Sequence, residues 1–255
     1  MTPSPAVSVV MPVYNAGPYL REAVESVLGQ SFGDLELLCC DDGSTDDSWA
    51  VLEGYAAEDP RLRPTRGAGN LGAAEARNVL IRAARGRYLA FLDADDWWMP
   101  DKLERQGAFM RDTGSVFSFT PYEVHNTDLD GAPARIVDAA TPDRVDYEML
   151  LRKEVTLGCS TVLIDRDRFS GMLMPSIRRG QDYAFWLSLL REHRCTADKL
   201  PAVLTRYRVR ANSVSRNKLR KAAYQWYIYR RLEALPFGRS VALMSHYAKN
   251  AIFRK

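Results

Sequence analysis

No apolar run in this 255-residue chain approaches the roughly 20 residues that a bilayer-spanning helix needs. The N-terminus also lacks the charged start and long apolar core of a signal peptide. The protein is therefore expected to be cytoplasmic, either soluble or held at a membrane surface. Cysteine is scarce: Cys39, Cys40, Cys159 and Cys195 form no C-x-x-C pair. That excludes a zinc-finger spacing and a disulfide framework, and points to a reducing compartment. His125, His193 and His246 have no mutual spacing that suggests a metal site. Internal repeats and low-complexity linkers are missing too. The hydrophobic fraction of 46% and charged fraction of 26% are those of an ordinary globular protein, which sets aside disordered and fibrous classes. Such a length can bury a sizeable core.

Acid is almost lacking at one end. From Arg206 onward thirteen Lys and Arg face one acid, Glu233, a net of +12, so the first 205 residues carry −9 although the whole is +3. An acidic body with a basic tail suggests that the tail meets an anionic surface. Its Lys and Arg lie among Tyr224, Trp226, Tyr227 and Tyr229. That mixture suits an anionic membrane interface better than a merely solvated helical face. The acidic body and the lack of a binding motif argue against nucleic acid.

What is present is an alternation. "VSVVMPVY" (7–14) is a β-branched run that reads as a buried strand, followed by "GPYLREAVESVLGQ" (17–30) with apolar residues at helical spacing. "LELLCCDD" is a second strand, and "STDDSWAVLEGYA" opens a helix with Ser44 or Thr45 as N-cap. "LRPT", "NLGAAEARNVLIRAA" and "RYLAFLD" continue as strand, helix, strand. The pattern predicts an α/β fold, a mostly parallel sheet flanked by helices. Ligands bind such sheets beyond the carboxyl ends of the strands. Polar clusters stand there each time: "PVYN" after the first strand, "DDGS" after the second, "DADD" after the fourth. Beyond Asp112 the pattern loosens. "SVFSFTPYEV" and "STVLIDRD" read as strands, "NTDLDGAPAR" as a turn, "QDYAFWLSLLREH" (181–193) as an amphipathic helix, and "AVLTRYRVR" as a last strand. Residues 216–234 read as helical.

A dinucleotide-binding sheet would place a ribose-binding acid near Asp41 or Asp42, but "PVYNAG" has one glycine where G-x-G-x-x-G needs three. The same lack weakens a sugar-phosphate nucleotidyltransferase. Without a glycine cradle, a diphosphate needs another counter-charge, and a divalent cation on carboxylates supplies it. Asp93 and Asp95 flank one residue in a segment read as extended, which turns both to the same side. One would take the metal, the other a sugar hydroxyl or the metal through water. Taken alone, "DADD" is as readily a solvated turn or a helix cap. Asp41 reads as a cap for the turn at Gly43, and Asp46 and Asp47 as first-turn helix acids. Trp97 and Trp98 read either as sugar-stacking rings or as core.

The pieces "VSVVMPVYNAGPYLREAVESVLGQSF", "LELLCCDDGSTDDS", "NLGAAEARN", "YLAFLDADD" and "MPDKLE" resemble, in order and spacing, the inverting glycosyltransferases of family 2. The resemblance implies a GT-A fold over residues 1–215, with a nucleotide-sugar-binding half (1–112) and an acceptor-binding half (113–215). The basic helical extension at 216–255 follows it. It also implies a nucleotide-sugar donor, most often a UDP-sugar, a glycan or lipid-linked acceptor, and Mn²⁺ or Mg²⁺. Carried over by position, Pro12, Tyr14 and Asn15 line the nucleoside pocket and Asp42 accepts from the uracil ring. Arg77 and Asn78 lie near the donor, with Asp93 and Ala94 at its ribose or sugar and Asp95 on the metal. The acidic pair that opens a later helix in the family reads Gln181-Asp182 here, which makes Asp182 the base and Gln181 an acceptor contact. In "YRVRANSVS" Arg210 stands where the family often has a metal-binding histidine, and is expected to neutralise the diphosphate. A binding protein that has lost turnover and a nucleotidyltransferase are the competing classes.

Overall fold

The computed structural model describes residues 4–126, 135–209 and 218–253. In the first half the elements are β1 (Val7–Val13), α1 (Gly17–Leu28), β2 (Leu35–Asp41), α2 (Ser48–Glu58), β3 (Leu62–Arg66), α3 (Ala73–Ala83), β4 (Tyr88–Phe91), β5 (Trp97–Trp98) and α4 (Lys102–Thr113). There follow β6 (Phe117–Phe119), β7 (Tyr122–Asn126), β8 (Arg135–Val137), β9 (Arg144–Val145), α5 (Tyr147–Leu151), β10 (Leu163–Asp165), α6 (Gln181–His193), β11 (Ala197–Lys199) and β12 (Thr205–Val209). Two C-terminal helices, α7 (Lys218–Tyr227) and α8 (Phe237–Phe253), are joined through a π-helical turn at Ile228–Leu232.

An eight-stranded sheet runs β3-β2-β1-β4-β10-β6-β11-β9. Its first four strands are parallel, as the alternating pattern predicts, and β10 then pairs antiparallel with both β4 and β6. Successive strand residues point to opposite faces, so Val9 and Cys39 join a core under α1, α2 and α4. Val10 and Cys40 join the one under α3, α5 and α6. Burial on both faces explains why β1 and β2 are almost continuously apolar. A second sheet, β5-β12-β7-β8, stands beside the first.

"SVFSFTPYEV" is two strands rather than one. Pro121 has no N–H to give a ladder, and the chain breaks at Thr120-Pro121 so that β6 and β7 enter different sheets. Most of the turn expected in "NTDLDGAPAR" falls outside the described residues. The C-terminal helices share the body's core: Ile228, Tyr229, Leu235 and Leu243 are buried in the cluster that holds α6. Tyr229 donates its hydroxyl hydrogen to the carbonyl of Leu151 at 2.6 Å. Among the described residues no helix is long and apolar enough to cross a membrane.

Candidate active site

The ends of β1 and β2 are stitched together by short polar side chains. Asn15 takes the left-handed conformation with φ of 48°, which asparagine tolerates better than most residues. Its N–H donates to Ser44 Oγ at 3.0 Å, and Thr45 N–H donates to Asn15 Oδ1 at 2.8 Å. The hydroxyl of Ser44 is therefore spent on this stitch rather than on an N-cap. Helix α2 starts at Ser48 behind Asp47, and Ser48 Oγ accepts from Ala16 N–H at 3.0 Å. Asp41 caps the Gly43 turn by accepting from Ser44 N–H at 3.1 Å. Asp42 is buried and accepts from Leu71 N–H at 3.0 Å and Gly72 N–H at 2.6 Å, closing the loop before α3 over the strand end. Pro12 is half-buried, and Tyr14 leaves about half its surface in solvent beside this junction.

The segment after β4 is not extended. The strand stops at Phe91, and Asp96 N–H donates to the carbonyl of Asp93 at 3.0 Å, so residues 93–96 form a tight turn. Three adjacent carboxylates repel one another less when a turn fans them apart, and each has its own surroundings. Asp93 pairs with Arg77, whose guanidinium is only 3% exposed. Asp96, 1% exposed, accepts from Ser160 Oγ at 2.5 Å and from Arg208 N–H at 3.0 Å. Burial, with Asp93 and Asp95 close by, pushes its carboxyl well above the usual range. Asp95 is half-buried and gives its backbone carbonyl to Arg208 Nε at 3.0 Å, while Ala94 is buried.

Neither Ser160 nor Arg208 stands out in the sequence, yet together they hold the turn. Ser160, in a single 3₁₀ turn at Cys159–Thr161, accepts from Asp93 N–H through its hydroxyl. Its carbonyl accepts from Trp98 Nε1 at 2.8 Å. Trp98 is thus a core residue at 3% exposure with its indole N–H satisfied, and the sugar-stacking role expected of it is withdrawn. Trp97 is also mostly buried. The Arg208 guanidinium lies 4.4 Å from its ring centroid and that of Arg206 5.8 Å away, with the His125 ring edge-on at 5.2 Å. Arg210 lies outside the described residues.

The second half is brought to this turn by α3. Asn78 donates through Nδ2 to the carbonyl of Met174 at 2.9 Å and accepts from Met174 N–H at 2.8 Å. With both amide groups hydrogen-bonded to backbone, Asn78 positions the 174–182 segment. Ser176 with Glu75, and Arg178 with Asn70, add further ties along the same edge. Gly180 then enters α6 with φ of 68°, a left-handed conformation that glycine adopts without strain, and a Cβ there would meet Ile228 Cδ1 at 3.0 Å. Asp182 follows in the first turn of α6, where the helix dipole favours its charge.

Arg77 ties the halves together electrostatically. Burial weighs against its charge, but Cys159, Asp93 and Asp182 around it outweigh that and raise its pKa. Tyr207 on β12 is raised by burial and then by Asp96, Asp93, Asp95 and Asp182. Asp93 of "DADD" and the acid that opens α6 therefore act on the same two side chains. Among the described residues Arg77 Nε and Nη1 and Gln181 Oε1 are buried with no hydrogen-bond partner, as are single atoms of Thr120, Trp186 and Gln225. Orphaned buried donors and acceptors are costly, and Arg77 and Gln181 are residues expected to meet a ligand.

A family model described as glycosyl transferase family 2 matches residues 8–168. The Bacillus subtilis protein named as the teichuronic acid biosynthesis glycosyltransferase TuaG is 41% identical over 252 residues, covering 98% of both chains. The chain belongs to glycosyl transferase family 2. This glycosyltransferase is also 33% identical to Escherichia coli WfgD, named as a UDP-Glc:α-D-GlcNAc-diphosphoundecaprenol β-1,3-glucosyltransferase, over 94% of its own length and 91% of that protein. Its fold matches S. aureus TarS residues 1–349 in complex with UDP-GlcNAc, with a TM-score of 0.71 at 18% identity over 97% of this chain and 73% of that one. The mannosyltransferase PcManGT of Pyrobaculum calidifontis, in complex with GDP-Man and Mn²⁺, gives a TM-score of 0.69 at 18% identity over 97% and 70%. At that identity the solved structures establish the shared GT-A fold. Family membership sets aside the nucleotidyltransferase and the binding protein without turnover.

Among the described residues of the glycosyltransferase, no group of three or more His, Cys, Asp or Glu forms a ready-made metal cage. A hard cation shared with a diphosphate asks less, one or two carboxylates completed by phosphate and water. Asp95, half-buried, and Asp93, with about a third of its side chain exposed, have the chemistry and number for such an ion.

Proposed function

We propose that the enzyme transfers one sugar from a UDP-sugar to a hydroxyl of a lipid-linked glycan, with inversion at the anomeric carbon, in the cytoplasm. The observation that carries this reading is that the buried Arg77 feels the charges of Asp93 and Asp182 together, as Tyr207 feels those of Asp93, Asp95 and Asp182. The name of the similar transferase WfgD suggests the donor and acceptor classes. Asp182 takes the proton of the acceptor hydroxyl as its oxygen attacks the anomeric carbon. The bond from that carbon to the diphosphate oxygen breaks, and UDP leaves with the electron pair. One displacement inverts the centre, so no covalent nucleophile is needed. Bound Mn²⁺ or Mg²⁺, held by Asp95 with Asp93, would supply Lewis-acid stabilisation to the leaving diphosphate. Arg77 fixes Asp93, the acid proposed for the donor sugar. Tyr14, Pro12, Asn15 and Asp42 frame the nucleoside, and the Gln181 carbonyl oxygen accepts from an acceptor hydroxyl. Arg210 is assigned to the diphosphate from the sequence.

Calorimetric titration of UDP with Mn²⁺ and with EDTA tests the reading on wild type, Asp95→Asn and Asp182→Asn. Binding should require metal and weaken at least about tenfold in Asp95→Asn. It should survive in Asp182→Asn, whose transfer from UDP-glucose to a GlcNAc-diphospholipid should fall by about 10³-fold. UDP binding indifferent to metal and to Asp95, or an anomeric configuration retained in the product, would sink it.

A further inference from the structure

We propose that the α7–α8 end of the molecule docks on an anionic lipid bilayer, with Phe237 and Val241 entering the headgroup region among arginines. Phe237 is 64% and Val241 44% exposed, and the two lie one turn apart on the same face of α8. Of the seven large hydrophobic residues exposed among those described, three (Tyr227, Phe237 and Val241) fall in this short stretch. The inner side of the helix pair is already used, since Ile228, Tyr229, Leu235 and Leu243 face the core. Phe237 instead stands edge-on to Trp226 at 5.7 Å, with the Arg230 guanidinium 6.0 Å from its ring centroid. Arg231 and Arg239 are exposed in the same stretch, Arg239 in an ion pair with Glu148.

Charge selects the occupant. An apolar tip flanked by cations matches a surface whose phosphates overlie hydrocarbon. The helical stretch 218–253 carries a net +6 and residues 1–205 a net −9, so the surface that attracts the helices repels the body. The molecule is thereby oriented as well as bound. Ile228 packs against Gly180, the residue before Gln181 and Asp182, so the docked end lies beside the helix terminus that carries the proposed base. The docking claim rests on exposure and charge, and does not depend on which sugar or acceptor the site takes.

Co-sedimentation of the full chain with vesicles tests it. Binding is expected to phosphatidylcholine vesicles containing phosphatidylglycerol, to fall as salt rises, and to be negligible for phosphatidylcholine alone. The double variant Phe237→Glu, Val241→Glu should bind the anionic vesicles at least about tenfold more weakly while titrating UDP as wild type does. That control separates a lost surface from a lost fold. No binding of the wild type to anionic vesicles, equal binding to neutral ones, or a double variant that binds unchanged would overturn the proposal. So would a wild-type dimer in sedimentation velocity that the double variant dissolves, because the face would then belong to a second copy.

Discussion

Arg77 and Glu233 both have their charged side chains almost closed off from water, at 3% and 2% exposure, and each faces an opposite charge. Their partners differ. Glu233, the one acid in the basic end of the chain, receives Arg191 and the Tyr147 hydroxyl on the same oxygen. It clasps the C-terminal helices to the body. Arg77 reaches Asp93 through one nitrogen and leaves Nε and Nη1 buried without a partner. Such atoms weigh against stability, and Arg77 holds an acid of the candidate site rather than two parts of the fold. The contrast separates a charge that clasps elements of the fold from one that orients an acid of the candidate site.

Two substitutions test that contrast. Arg77→Met keeps the volume and removes the orphaned nitrogens. It should lower transfer by at least about 100-fold while costing less than the roughly 3 kcal/mol at which breaking a fully buried pair begins, because Asp93 keeps about a third of its side chain in water. A loss above about 3 kcal/mol would make Arg77 a structural ion pair and erase the difference. Glu233→Gln should act the other way. It weakens the Arg191 and Tyr147 contacts at a cost of about 2 kcal/mol, and leaves metal-dependent UDP binding intact. Hydrogen exchange should quicken first in α7, α8 and the turn between them; unchanged exchange there would show that the apolar contacts of Tyr229 and Leu235 alone hold the helices.

Much of the first region was legible before any coordinates. The parallel strands carry apolar runs on both faces and the helices a 3.6-residue period. Asp41, Asp42 and Asp93 could be placed because carboxyl ends of parallel strands share one edge. The amphipathic α6 was readable at its observed bounds for the same periodic reason. What could not be read depends on groups far apart in the chain. Ser160 meets Asp96 across 64 residues and Arg208 meets it across 112, and no local pattern marks either. The turn at 93–96 rests on a backbone hydrogen bond that residue spacing does not reveal. Trp98 offered the same letters for a stacking ring and a core ring; only the Ser160 carbonyl beside its N–H decides. Asn78 lies in a stretch that marks the donor half, and its tie to the backbone of Met174 could not be read there.

A third charge sharpens the comparison by belonging to neither kind. Lys102 is fully buried in the first region, donates from Nζ to Gln106 Oε1 at 2.7 Å, and lies 4.2 Å above the Trp98 ring. Among the described residues no carboxylate pairs with it, and burial lowers its pKa to about 7. In the unfolded chain a lysine keeps its proton to about pH 10. Between those values the unfolded state binds the extra proton, so stability rises with pH across this window. Below about pH 7 both states are protonated and the full penalty of burying the cation remains. Urea unfolding of wild type should therefore show a contribution of up to about 1.4 kcal/mol per pH unit above pH 7. Lys102→Met should remove that slope without affecting UDP binding, because Gln106 also holds Ser118 Oγ and the Thr161 carbonyl through its amide nitrogen. A slope that persists in the variant would mean that Lys102 stays charged when folded, stabilised by the Trp98 ring. It would then stand with Glu233 as a charge the fold itself accommodates.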